Sequence, residues 1–120
     1  MRRAHANEID TIEAGAYAIA LVLADGELGL VAVVRAPTKS GADWYLKAFD
    51  EEEADAYPPD LEDAFRLEVS GVGNGSLADV FRRLTVKVEQ AKNGESNIPA
   101  LAGVVGFRTR HVVFEKVQLV

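Results

Sequence analysis

The chain contains no cysteine. Disulfides, thiolate metal ligands, iron–sulfur ligation and thiol nucleophiles are therefore excluded, and nothing points to an oxidising compartment. Histidine is scarce too. His5 and His111 are the only two, and no His-x-x-x-His or related spacing joins them, so an imidazole-built metal centre has no basis. No metal and no cofactor are expected. Long apolar runs are missing: the longest, Ala16 to Ala24, falls well short of the ~20 residues of a membrane-spanning helix. Arg2 and Arg3 are followed by Glu8, Asp10 and Glu13, which do not suit a secretory signal. A soluble, cytoplasmic protein is the expectation. Positive charge is in short supply: 13 Lys and Arg face 19 Asp and Glu, a formal net charge of −6 that repels nucleic-acid backbones at long range. Neither a membrane nor a nucleic acid is an expected partner.

What is present suits one globular domain over residues 1–120. A chain of 120 residues can bury enough apolar surface to fold without a metal or cross-link. Residues 1–14 are polar and mixed. Asn7 can cap a short helix carrying Ile9 and Ile12 that Gly15 would stop, and fraying is expected at its start.

The most informative stretch runs from Ala16 to Arg35. Two apolar segments flank Asp25-Gly26, a strong hairpin signal. In that pairing Leu23, Leu21, Ile19 and Tyr17 share a face with Leu28, Leu30, Ala32 and Val34. The opposite face is apolar as well, where a half-exposed hairpin would alternate with polar residues. Something should cover both faces: a helix, a second layer, or another copy of the protein.

Pro37 to Ala42 reads as a loop and Asp43–Phe49 as a strand. The segment 50–63 is an acidic surface loop, because Pro58-Pro59 breaks any helix and cannot enter a central strand. One helical turn can precede Tyr57. Phe65 to Val69 alternates cleanly and reads as a half-buried strand. A glycine-rich turn, 71–75, leads to the main helix at about 76–92. Ser76 and Asp79 form a near capping box, and Asn93-Gly94 supplies a stop. Arg83 to Glu89 also alternates with period two, but cap, period and stop agree on helix. Ala100–Phe107, with two glycines, reads as a strand or one helical turn, and His111–Val120 as the last strand. The fold class is α+β: a mainly antiparallel curved sheet or small barrel of about six strands, with one main helix.

Several residues are candidates for chemistry. Gly73, Gly75 and Ser76 precede a helix, where free N–H groups can hold an anion. Their spacing matches no phosphate-loop fingerprint, and a tight turn whose glycines supply positive φ, with Ser76 as cap, is the favoured account. Glu115 shares a strand face with Val113, Val117 and Leu119, so that face would bury it. It would then be ion-paired, with Arg108 or Arg110, or catalytic; an ion pair, or a bulge that turns Glu115 outward, is the favoured account, and Asp50 is the second weak catalytic candidate. Trp44, Tyr45, Phe65, Phe81 and Phe107 are candidates to line a ligand pocket. The acidic run 50–55 lacks the spacing of a calcium loop and reads as a solvated surface. Arg82, Arg83, Lys87 and Lys92, with Arg108, Arg110 and His111, would make a basic patch if they adjoin; an ordinary solvated face is the plainer account.

Two functions follow. The first is a small non-enzymatic interaction module that self-associates, most simply as a dimer, because one helix cannot cover both faces of so apolar a sheet. The second is a small-molecule binder or small enzyme with an apolar pocket between helix and sheet. An RNA-binding barrel is a weaker third.

Overall fold

The computed structural model describes residues 2–35, 44–56, 58–93 and 98–117, with side chains from residue 11 onward. Its elements run α1 (Arg2–Leu28), β1 (Leu30–Arg35), β2 (Trp44–Ala48), β3 (Phe65–Val72), α2 (Leu77–Lys92), β4 (Ala100–Gly106) and β5 (His111–Val117). The expected loop 37–42, Tyr57, Gly94 and the end of the last strand lie outside the described residues.

The hairpin across Asp25-Gly26 is overturned. Residues 16–28 are helical, and Gly15 lies within the helix instead of ending it. Alanine is the best helix former and is depleted in strands. Ala16, Ala20 and Ala24, spaced by four, form one fully buried stripe. The stop is Gly29, not Gly26. Gly29 has φ +66°, and its N–H donates to the Asp25 carbonyl at 3.0 Å, a left-handed cap open to glycine. The helix lacks an acidic first turn and a basic last turn, so its ends carry none of the usual charge signature.

Among the described residues the sheet has five strands in the order β1-β2-β3-β4-β5, and two helices accompany it. The expectation of about six strands and one helix is corrected accordingly, and the strand order runs open from β1 to β5 instead of closing into a barrel. β1–β2, β2–β3 and β4–β5 pair antiparallel. β3 and β4 pair parallel, with α2 as their crossover.

The two helices occupy opposite faces. α1 lies over β1, β3 and β4, and α2 over β3, β4 and β5. Alternation along the strands feeds both layers. Leu67 and Val69 of β3, and Leu101 and Val105 of β4, join Leu30 and Leu46 beneath α1. Ala100 and Ala102 face α2 with Val88, Ala91 and Val117. β4 is buried at every residue, which explains its run without a polar side chain. The helix expected at about 76–92 is present as α2, with the Ser76–Asp79 capping box formed and Asn93 as C-cap. In the acidic loop, Glu53 and Ala56 donate to the carbonyls of Asp50 and Glu53, giving a turn before Tyr57.

The docking of α1 depends on glycine in β3. A Cβ on Gly71 would stand 2.7 Å from Ile12 Cγ2 and 3.2 Å from the Ile12 carbonyl. Beyond Leu67, β3 has no strand on its β2 side among the described residues. The buried Gly71 N–H instead donates to Glu13 Oε1 of α1 at 3.3 Å. Gly71→Ala should therefore cost about 1–3 kcal/mol by overpacking. Glu13→Ala should cost about 1–3 kcal/mol by orphaning a buried donor, while Glu13→Gln keeps an acceptor and most of the stability. Urea denaturation checks both as a lowered midpoint at constant slope.

Candidate functional site

The five aromatic candidates do not meet. Trp44, Phe65 and Phe107 pack into the layer beneath α1. The Arg35 guanidinium lies 5.7 Å from the Trp44 ring centre and Lys116 Nζ 5.3 Å from that of Phe65. Phe107 rests against α1 where Gly15 leaves room for its ring. Tyr45 falls on the opposite face of β2, and Phe81 is exposed on α2. The sheet separates what the sequence grouped, so these side chains line no common pocket.

Glu115 is exposed, against the expectation of burial. It lies on β5, at the end of the sheet, while Val117 on the same strand face is buried against Val88 and Ala91 of α2. No ion pair of Glu115 with Arg108 or Arg110 occurs among the described residues. Asp50 is exposed at the head of the acidic loop, where its Oδ1 accepts the Glu52 N–H at 3.0 Å.

The anion-binding candidates are already occupied. Ser76 N–H and Oγ donate to Asp79 Oδ2 at 2.8 and 3.0 Å, so the helix start holds a carboxylate of its own chain. A Cβ on Gly75 would stand 2.8 Å from Asp79 Cβ, so Gly75 is needed for close approach. Gly73 likewise makes room for Ile12. Neither adopts the positive φ that a turn reading would assign them.

The cations of the expected basic patch are mostly engaged. Arg82 pairs with Asp79 at 2.6 Å, Lys92 with Glu89 at 3.8 Å, and Arg83 donates to Ser70 Oγ at 2.8 Å. Arg108 donates to the Asn74 carbonyl at 3.4 Å. His111 Nδ1 lies 2.7 Å from the Thr109 carbonyl. Beneath α2, β3 carries a half-buried Arg66–Glu68 pair at 2.7 Å beside buried Ser70. Ser70 meets a guanidinium and not a base, so nothing there activates it as a nucleophile. Among the described residues no three His, Asp or Glu side chains converge as metal ligands. No described helix is long and apolar enough to cross a membrane.

Two features escaped the sequence reading. The first is a groove of about 190 Å³ on the face of β1 and β2 away from α1. Val31, Val33, Ala48 and Phe49 form its apolar part, and Asp50, Glu53 and Asp60 its acidic rim. Lys47 ties the loop to the strand, donating to Glu53 Oε2 at 3.2 Å and to the Asp60 carbonyl at 2.8 Å. Its signal in the sequence is the basic-free acidic segment after an apolar strand. The second is the outer side of α1, where Ala14, Ala18, Ile19 and Val22 are exposed.

Asp79 gives the clearest pH dependence. The Ser76 backbone bond first, then the Ser76 hydroxyl and Arg82, hold its carboxyl below the ordinary 3.8. An acid depressed in the folded state stabilises above its unfolded value and loses that contribution as pH falls through the folded one. Thermal melts should show Asp79→Asn less stable than the parent near neutral pH. That difference should shrink from about pH 4 downward and vanish in strong acid.

Comparison with protein-family models, with curated proteins and with solved structures finds no match to this chain.

Proposed function

We propose that the protein is a small non-enzymatic interaction module that self-associates, with the outer side of α1 as the contact between two copies. The observation that carries this reading is the segment Ala14 to Ala24. It contains no charged residue, and Tyr17 is its only polar one. Its inner stripe is buried under the sheet, yet Val22 is 70 % and Ile19 36 % exposed on the other side. A helix that is apolar all round is ordinarily covered all round.

The motive for self-association survives the loss of the hairpin. The same residues remain apolar on two sides, and the fold supplies cover for one. A two-fold pairing of α1 with its copy places the same patch on both partners, the commonest closed symmetry. Ala14 and Ala18, a helical turn apart, permit the close axial approach that packed helices make. Burying this patch desolvates no ion, so its apolar area contributes without an electrostatic penalty. Exposed Glu115 and the scattered aromatic candidates do not come together as a pocket between helix and sheet. A cytoplasmic location agrees with the cysteine-free composition.

Size-exclusion chromatography with light scattering over a dilution series tests the reading. The parent should run as a dimer that dissociates on dilution. Val22→Lys should be monomeric with unchanged circular dichroism. A parent that stays monomeric at high micromolar concentration, or a dimer indifferent to both Val22→Lys and Ala18→Glu, would overturn it.

A further inference from the structure

The charge of this chain is segregated. Residues 50–63 hold eight acidic side chains and no basic one, while the other eleven acidic residues are outnumbered by thirteen Lys and Arg. The whole negative excess therefore lies in the segment that walls the β1–β2 groove.

Three properties of that groove define what it can take. The first is a free backbone edge. β1 ends the sheet, and no strand pairs with its outer side among the described residues. The opposite edge, β5, exposes His111, Glu115 and Lys116, charges of the kind that discourage strand addition. β1 carries none between Leu30 and Val34. The second is an apolar floor. The pairing with β2 skips Val33, which stays 38 % exposed, and Phe49, which lines the same groove nearer the start of β1, is 67 % exposed. The third is unspent negative charge. Lys47, the one amine at the groove, is already held by Glu53 and the Asp60 carbonyl. The carboxylates of Asp50 and Asp60 each accept one loop N–H, from Glu52 and Glu62, and have lone pairs to spare.

We propose that the β1 edge and this groove together bind an extended basic peptide segment of a partner protein. The segment adds to β1 as a further strand, so main-chain bonds supply sequence-independent affinity. Apolar side chains along the segment cover Val33 and Phe49, and a Lys or Arg side chain reaches Asp50 and Asp60. A second copy of this chain suits the groove poorly. Its β1 offers only Arg35, which already lies 5.7 Å from the Trp44 ring centre. This surface is distinct from the outer side of α1, and the inference does not rest on self-association.

Fluorescence anisotropy with a short labelled peptide of alternating Lys and Val tests the inference, with alternating Glu and Val as its counterpart. The full chain should bind the first saturably and the second not at all. Asp50→Asn/Asp60→Asn keeps both loop acceptors and should weaken binding about tenfold, the loss of two partly exposed charge contacts. Val33→Lys should abolish binding, and the monomeric Val22→Lys should bind like the parent. Hydrogen exchange should show new amide protection in residues 30–35. Failure of the Lys–Val peptide to bind, equal binding of both peptides, indifference to the Asp50/Asp60 change, or protection confined elsewhere would overturn the inference.

Discussion

The fold depends on how closely α1 can approach the sheet. Its inner stripe is Ala16, Ala20 and Ala24, each fully buried. Leucines at those positions would hold the helix away and leave gaps between larger side chains. With alanines, the sheet supplies the bulk from Leu46, Leu67 and Leu101, and the helix supplies a flat surface for them to fill. The same constraint appears under Ile12, where only a residue without Cβ fits at Gly71. The Glu13–Gly71 bond then closes the part of β3 that β2 does not reach. Remove the close approach and one whole face of the sheet loses its cover.

Two helices on opposite faces complete most of a three-layer core, but not all of it. α2 follows the β3–β4 crossover and so lies toward β5, leaving the same face of β1 and β2 beyond its reach. The acidic loop turns onto that end of the sheet instead, anchored by Lys47. A loop cannot seal a face as a helix does, and a groove remains beside an unpaired edge. The outer side of α1 is open for a different reason. The helix is as apolar outside as inside, while the sheet has only one face to offer it. The two proposed contacts rest on these two open surfaces.

Legibility in the sequence tracked how sharply polarity alternates. Phe65–Val69 and Asp43–Phe49 have contrast between neighbouring positions or aromatic and β-branched content, and strands stand at both places. α2 was legible because Ser76, Asp79 and Asn93 mark its ends by specific hydrogen bonds. The segment 16–24 has no such contrast. A period cannot be read where every position is apolar, and Asp25-Gly26 then imitated a hairpin turn three residues before the true stop at Gly29. The candidate sites suffered from a related limit. Glu115 was read from its own strand, but burial depends on which strands flank it, and β5 has a neighbour on one side only.

By itself the sequence determined the α+β class, the strands from Trp44 onward, the capped helix and the position of the acidic loop, because those rest on local propensity and hydrogen bonding among near neighbours. It also determined the charge segregation, a property of order along the chain alone. The tertiary structure decided that the apolar stretch before Gly29 is a helix and that Glu115 is exposed. It also decided that the acidic loop borders a groove at a free edge. Each of these is a question of what lies across a gap from a given side chain, and packing between distant segments is the only physics that answers it.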